Sequence, residues 1–529
     1  MISKIINKII IKRLRKIMRG HILLFKNDNL KISNDIKSEI DNVSLFKNNK
    51  FFSKIFFGTP SANLNDIYIQ FLKTNILDRK LNEAIQIYFV DKKKLKYPLT
   101  PKLVNIFEKK NIKINKFLSY SKFVIFSFNY FLRGQFFFYY YIINSILSFR
   151  LKSNQNYAYF LNTPIQVFNK KKISINSIMF WYMKEEKLNH IKNISHDNKS
   201  AHHLNYDNFN INYNPNLIPR LKNIYDLFIL FFWYLVFSLL AILFVLKGNF
   251  SYAILFGESI KYKIFNIIND KQIANFYFFN NSQPIYRPLW TYEAEKRKSK
   301  IFFYFYSTNN ESIKTTKYYE KNLSWWSRLT WPNYLIWSEI QSEFIKSISN
   351  SNHTTQIIGP ITDTGDKKII INSKKKIISI FDIQPFRTSL FYNTVITDHV
   401  NMPPNSINFI SDIIEVFSRN DEYEFFLKRK RFISNNIHPV YNNFINKLTS
   451  TNKLKLYDYN NSIKDILSQS DLVICSPYTS VAHIASSMGR YTFYFDPSGK
   501  IDITDKASYG IRIISGKKKL KELFLKNFN

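Results

Sequence analysis

Along the second half of the chain, short apolar runs bounded by turn residues alternate with stretches in which apolar positions recur every three or four residues. The runs predict strands at Ile377 to Phe381, Tyr423 to Lys428, Leu454 to Tyr457, Leu472 to Cys475 and Tyr491 to Phe495. Between them, Ser406 to Ser418, Pro439 to Leu448, Ser462 to Gln469 and Ser480 to Met488 carry helical spacing; Ile407, Ile410, Ile413, Ile414 and Phe417 form one apolar stripe. Strands separated by helices imply a parallel sheet with right-handed crossovers. Further upstream the same alternation recurs. Tyr252 to Phe256 reads as a strand ending in Gly257-Glu258-Ser259, Ile260 to Ile268 as a helix, and Ala274 to Phe279 and Ile301 to Tyr306 as strands. The expected fold is α/β, with two doubly wound, Rossmann-like domains facing each other across a cleft.

The first half is less regular. Met1 to Arg19 places isoleucines and lysines at helical period, giving a basic amphipathic helix that suits an anionic membrane surface or packing on its own domain. Within Phe56 to Asp91 a mixed α/β segment is expected, with Ala84 to Val90 a strand. Gly134 to Phe149, rich in aromatics, reads as a buried or interfacial helix. Tyr157 to Leu161 and Ile175 to Met183 are strand-like, and the polar run His190 to Pro215 reads as a solvated loop. Leu227 to Leu246 is uncharged throughout, long enough as a helix to cover about 30 Å. Lysines and arginines flank it on both sides, so charge gives no orientation; a helix embedded at or docked against the cytoplasmic face is expected, with a wholly buried core helix as the alternative. The implied organisation is a basic N-terminal α/β region (1–150), the first part of the N-terminal α/β domain (151–223), a membrane-associated apolar helix (224–248), the rest of that domain (249–361), a linker (362–376) and a C-terminal nucleotide-binding domain (377–529).

Composition adds three constraints. Lys+Arg number 76 against 38 Asp+Glu, a formal net charge of +38, which points to an anionic partner such as a phosphorylated substrate or anionic lipid. The basic residues are dispersed and no nucleic-acid-binding module occurs, so nucleic acid is not expected. The single cysteine, Cys475, rules out an internal disulfide and fits a reducing compartment. No HExxH, CxxC, Asp-x-Asp, GxGxxG or Walker spacing is present, so neither a bound metal nor a cofactor is expected. Trp290, Trp325, Trp326, Trp331 and Trp337 are read as core residues, with a sugar-stacking platform as the alternative.

The most informative stretch is Asp471 to Pro497: a buried strand, the turn Ser476-Pro477-Tyr478-Thr479-Ser480, a helix from Val481 to Met488 and a second strand. At the carboxyl end of a parallel strand, such a turn lies where open α/β folds bind ligands. It opens a helix whose free N–H groups suit phosphate. The donors would be the hydroxyls of Thr479 and Ser480 and the backbone N–H groups of Ser480, Val481 and Ala482. The alternative is that one of the hydroxyls simply caps the helix.

Pro477-Tyr478-Thr479-Ser480 resembles the signature of the bacterial polysaccharide-biosynthesis proteins named for a Pro-Phe-Thr-Ser motif, with tyrosine in place of phenylalanine. The region is also similar to the nucleotide-binding half of GT-B glycosyltransferases, including bacterial sialyltransferases that place a Ser/Thr pair on the donor phosphate. Ile378 to Arg387, Asn408 to Phe417, Phe426 to Arg431, Arg287 to Glu293 and Trp331 to Gln341 extend the likeness over roughly 250–500. The resemblance implies a GT-B arrangement, a nucleotide-sugar donor and a glycan or lipid-linked acceptor at the cytoplasmic face of the bacterial inner membrane.

Such an enzyme needs a phosphate clamp and a base. The clamp candidates are Thr479, Ser480 and Val481 with Arg387, Lys428, Arg429 and Arg431. Glu258, following the strand at Tyr252 to Phe256, and Asp382, following the strand at Ile377 to Phe381, are the candidate bases, since burial can raise a carboxylate toward neutrality; the alternative for Glu258 is a carboxylate at a helix N-terminus. Metal-independent glycosyl transfer is the leading expectation. Transfer of a phosphorylated polyol, or a non-catalytic assembly role, are the alternatives.

Overall fold

The structure is a computed structural model; it describes parts of 32–45, most of 50–147, and 156–528 apart from 165–166, 170–171, 175–176, 200–202, 281–285, 309–328, 350–351, 362–368, 386–402, 419–420, 430–436 and 459–460. Met1 to Arg19, Arg387, Arg431, Trp325 and Trp326 lie outside the described residues.

Two sheets organise the chain. The first comprises β1 (Tyr157–Phe160), β4 (Asn193–His196), β5 (His203–Tyr206), β6 (Phe209–Tyr213), β7 (Phe276–Asn280), β8 (Lys300–Tyr304), β9 (Asn333–Ile336) and β10 (Thr354–Ile357), in the order β10-β9-β8-β7-β1-β4-β6-β5. All its pairs are parallel except β5 with β6. A small hairpin pairs β2 (Phe168–Asn169) with β3 (Lys172–Ile173). The second sheet is wholly parallel: β11 (Lys376–Phe381), β12 (Tyr423–Lys428), β13 (Lys455–Leu456), β14 (Leu472–Cys475), β15 (Thr492–Asp496) and β16 (Ile513–Ser515), ordered β13-β12-β11-β14-β15-β16.

Strand periodicity distributes the core. In β1, Tyr157 and Tyr159 face one apolar cluster and Ala158 and Phe160 another. In β14, Val473 and Cys475 join the central cluster while Leu472 and Ile474 join the outer one. Strands buried on both faces carry continuous apolar runs, which is why these were legible in the sequence. Across the first sheet, Phe160, Phe278 and Phe302 stand in register and stack at 4.4 and 5.0 Å. Trp290 and Trp331 are fully buried and Trp337 nearly so, which places these three in the core.

Several local expectations are corrected. Ala84 and Ile85 are helical rather than extended, and the described part of 32–147 is helical with one isolated bridge, Leu95 to Ile114. The aromatic segment belongs to one long helix, Lys116–Leu147. Ile178–Lys184 is a helix opened by Ser177, whose hydroxyl accepts from the Phe180 N–H; a short apolar run does not by itself distinguish helix from strand. The polar run from His190 supplies three strands, β4 to β6, with Ile194 and Ile211 as fully buried apolar anchors. Tyr252 to Phe256 is helical, divided between Ser251–Ile254 and Phe256–Ile267. The apolar run itself forms the helix Ile224–Leu246, which is long and apolar enough to cross a membrane.

Candidate functional site

The turn after β14 is built on a strained residue. The Thr479 N–H donates to the Ser476 carbonyl at 3.1 Å, closing a four-residue turn with Pro477 at its second position. Tyr478, at the third, has φ +63°. Glycine normally occupies that position, and a bulky L-residue there costs roughly 1–2 kcal/mol. Two features hold it: the Tyr478 phenol donates to Asp505 Oδ2 at 2.6 Å, and its ring packs on Tyr494 at 5.6 Å.

Neither hydroxyl of the motif caps the helix that follows, Val481–Ser487. Ser480 is the N-cap residue in helical conformation with no side-chain capping bond. Its Oγ lies 2.9 Å from Ser307 Oγ instead. Thr479 Oγ1 is buried with no hydrogen-bond partner. The capping alternative is therefore not how this turn uses its hydroxyls. Among the expected backbone donors, the Ala482 N–H is engaged by the Thr479 carbonyl at 3.1 Å, a correction; among the described residues, the turn's bonds do not use the Ser480 and Val481 N–H groups. His483, one residue further, packs between Tyr494 and Tyr509. Burial lowers its pKa to about 4, so it is neutral at pH 7.

Register brings further groups to this edge. Phe381 pairs with Lys428 on one side and Cys475 on the other. Asp382, Arg429 and Ser476 therefore leave the sheet side by side at its carboxyl end, the ligand-binding edge of open α/β folds. Asp382 is 2 % exposed. Its Oδ2 accepts a short hydrogen bond from the Tyr441 phenol, while Oδ1 has no partner. Burial raises its pKa to about 6, opposed by the Tyr441 bond and by the Arg429 charge. Arg429 is 4 % exposed, and its Nε, Nη1 and Nη2 all lack hydrogen-bond partners. A buried guanidinium normally has its donors satisfied, because stranding the charge costs several kcal/mol. Lys428 is also buried, and desolvation lowers its pKa to about 8, with the Asp458 charge opposing.

Glu258 is placed elsewhere. It sits in the first turn of the helix Phe256–Ile267, not at a strand end, with Oε1 2.8 Å from Lys261 Nζ and Oε2 accepting the Leu289 N–H at 3.2 Å. One oxygen is held by Lys261 within the same helix and the other ties that helix to Leu289, and nothing aims them at the turn. Asp382 is the carboxylate that the register brings to the edge. Sequence reasoning missed Ser307, which follows β8, and Asp496, at the end of β15. Asp496 accepts the N–H groups of Ser498, Lys500 and Ile501 and the Ser498 hydroxyl, shaping the loop that supports Asp505. The Asp496-Pro497-Ser498-Gly499 turn chemistry was the available signal. A groove of about 410 Å³ opens on that side, between Ile340 and Glu343 of the first domain and Thr504, Lys506 and Arg512 of the second.

Two α/β domains whose strand ends meet through Ser307 and Ser480 define a GT-B architecture. The chain belongs to the family of polysaccharide biosynthesis PFTS motif proteins, whose model matches residues 233–524. Among solved structures, S. aureus MnaA with UDP matches at 9% identity and TM-score 0.38, covering 70% of this chain and 88% of that one. The wall teichoic acid polymerase TagF matches at 13% identity and TM-score 0.36, over 76% and 88%. An α,α-trehalose-phosphate synthase (UDP-forming) from Burkholderia vietnamiensis matches at 7% and 0.33, over 71% and 90%. No curated protein sequence matches this chain.

Proposed function

We propose that this protein transfers a sugar from a nucleotide-sugar donor to a glycan or lipid-linked acceptor in the synthesis of a surface polysaccharide, at the cytoplasmic face of the bacterial inner membrane. Membership of a polysaccharide-biosynthesis family supports the pathway. The observation that carries the chemistry is the guanidinium of Arg429, buried with no hydrogen-bond partner beside the carboxyl end of β11 and the turn that holds Thr479.

In this reading the donor phosphates supply the missing partners. Arg429 takes phosphate oxygens through its planar donors, Lys428 adds a second positive charge, and the Thr479 hydroxyl with the Ser480 and Val481 N–H groups completes the cradle at the helix end. These groups stabilise the charge that builds on the leaving phosphate, so no metal is required. Asp382 accepts the proton of the attacking acceptor hydroxyl; a carboxylate of pKa about 6 is ionised at pH 7 and is a stronger base than an ordinary aspartate. The acceptor hydroxyl attacks the anomeric carbon, the bond from that carbon to the phosphate oxygen breaks, and the nucleotide leaves with the negative charge.

The test is release of nucleotide from a panel of UDP-, GDP- and CMP-sugars by the purified protein, with and without extracted membrane lipid and in the presence of EDTA. Acceptor-dependent release that survives EDTA and is lost in Arg429→Met supports transfer. Nucleotide binding without any release would make the protein a non-catalytic assembly subunit.

A further inference from the structure

The helix Ile224–Leu246 reverses the polarity expected of a surface helix. Phe228, Phe231, Phe232, Leu235, Val236, Leu239, Ile242, Leu243 and Leu246 are all exposed and recur every three or four residues. They make one continuous apolar stripe, where a helix on a water-soluble surface would carry charge. The long helix Lys116–Leu147 runs antiparallel beside it: Phe138 stacks on Tyr234 at 3.6 Å, Gln135 bonds Ser238, and the Tyr141 phenol reaches the Pro219 carbonyl. Its own exposed residues Phe136, Tyr139, Tyr140, Ile143 and Leu147 extend the surface.

Topology limits what this surface can do. β1 pairs with β4 on one side and with β7 on the other. The chain order places Ile224–Leu246 between β6 and β7, and 203–280 is described without a gap. The only helix that returns toward β7, Phe256–Ile267, is mostly buried, carries Glu258, Lys261 and Lys263, and packs on the long helix with Phe256 against Gly134. A single crossing of a bilayer between β6 and β7 would leave one continuous sheet on both sides of it, which is impossible. The stripe is therefore not a transmembrane span. Its rim is cationic: Arg220 precedes the helix, Lys247 follows it and Arg133 lies on the partner helix. The helix Lys116–Leu147 carries no acidic residue.

We propose that the paired helices Lys116–Leu147 and Ile224–Leu246 form a monotopic membrane-docking face that enters one leaflet of an anionic phospholipid bilayer, with the basic rim at the phosphate level. The apolar stripe supplies insertion and the rim selects anionic headgroups. It uses no residue of the transfer site, so either reading can fail without the other.

The experiment is flotation of the full-length protein with vesicles of phosphatidylethanolamine and phosphatidylglycerol, compared with phosphatidylcholine alone, for the wild type and Phe232→Glu/Leu239→Glu. The wild type is expected to float with the anionic vesicles at least tenfold more than the double variant, whose circular-dichroism melt stays at the wild-type temperature because both side chains face solvent. Equal flotation of the two proteins overturns the proposal. So does a lipid-independent dimer that the double variant dissociates, since the face would then be an interface between copies. Labelling of Asn208→Cys and Lys271→Cys with an impermeant maleimide in sealed membranes checks the topology against the low background of buried Cys475: both label from one side, and labelling from opposite sides overturns the monotopic arrangement.

Discussion

The Ser307 and Ser480 hydroxyls lie 2.9 Å apart, one following the end of β8 in the first sheet and the other opening the helix after β14 in the second. This bond fixes the motif's last serine against the opposite domain, while Thr479 keeps a buried hydroxyl with nothing to bond. The two neighbouring hydroxyls thus differ in their tasks: Ser480 reaches the first domain, and Thr479, with no protein partner, is the one that the proposed function assigns to the donor phosphate.

A double-mutant cycle separates these tasks. Ser307→Ala and Ser480→Ala are expected to be non-additive, with a coupling of about 0.5–1.5 kcal/mol in chemical denaturation. Thr479→Ala should leave stability within about 0.5 kcal/mol, because no bond is lost, and should weaken nucleotide binding. Additive serine variants would remove the interdomain role.

Arg429 gives a signature that a purely structural residue would not. Replacing it with methionine removes a buried guanidinium that attracts Asp382 but whose donors make no hydrogen bond, so the ligand-free protein should become more stable by about 1–4 kcal/mol. The same change should abolish stabilisation by nucleotide. A destabilised Arg429→Met protein would show that the guanidinium is satisfied by the fold itself.

Asp382 ties activity and stability to pH. Its folded pKa, raised to about 6 by burial, exceeds its unfolded value near 3.8, so its contribution to stability is fully present below about pH 4 and is lost as pH rises through 6. That loss is about 3 kcal/mol on linkage grounds. Denaturation midpoints across pH 4–8 should show a downward component that Asp382→Asn lacks. If Asp382 is the base, turnover rises through pH 6 in the wild type, and the asparagine variant loses about 10²–10⁴-fold in kcat.

Tyr478→Phe writes the motif in its eponymous form and tests why tyrosine stands here. It removes the donor to buried Asp505, at an expected cost of about 1–3 kcal/mol in the melting curve. Unchanged stability would mean that the other bonds of Asp505, that to the Ala507 N–H among them, hold it without the phenol.

How far the sequence could be read followed burial. β12 and β14 stand at the residues their apolar runs mark, and the helix after the Pro-Tyr-Thr-Ser turn starts where the small residues begin, because both faces of these strands are covered and pattern alone specifies them. β5 was hidden: His203 to Tyr206 alternates exposed and half-buried at the sheet edge, and an edge strand needs no apolar run. The stretch Tyr252 to Phe256 misled in the opposite way, being apolar because helices surround it, so Glu258 was assigned a strand end it does not occupy. The placement of Thr479 and Arg429 at the carboxyl edge of the second sheet was legible from the strands they follow, whereas the Ser307 contact, between residues far apart in sequence, required the fold.

The measurement that tests the central claim most directly is thermal unfolding of the wild type and of Thr479→Ala/Arg429→Met against UDP, GDP, CMP and their sugar conjugates. A ligand at one hundred times its dissociation constant should add about 2.7 kcal/mol of stability. The account predicts that one nucleotide class stabilises the wild type and leaves the double variant unmoved. A wild type that no nucleotide stabilises, or a double variant that responds as the wild type does, would contradict it.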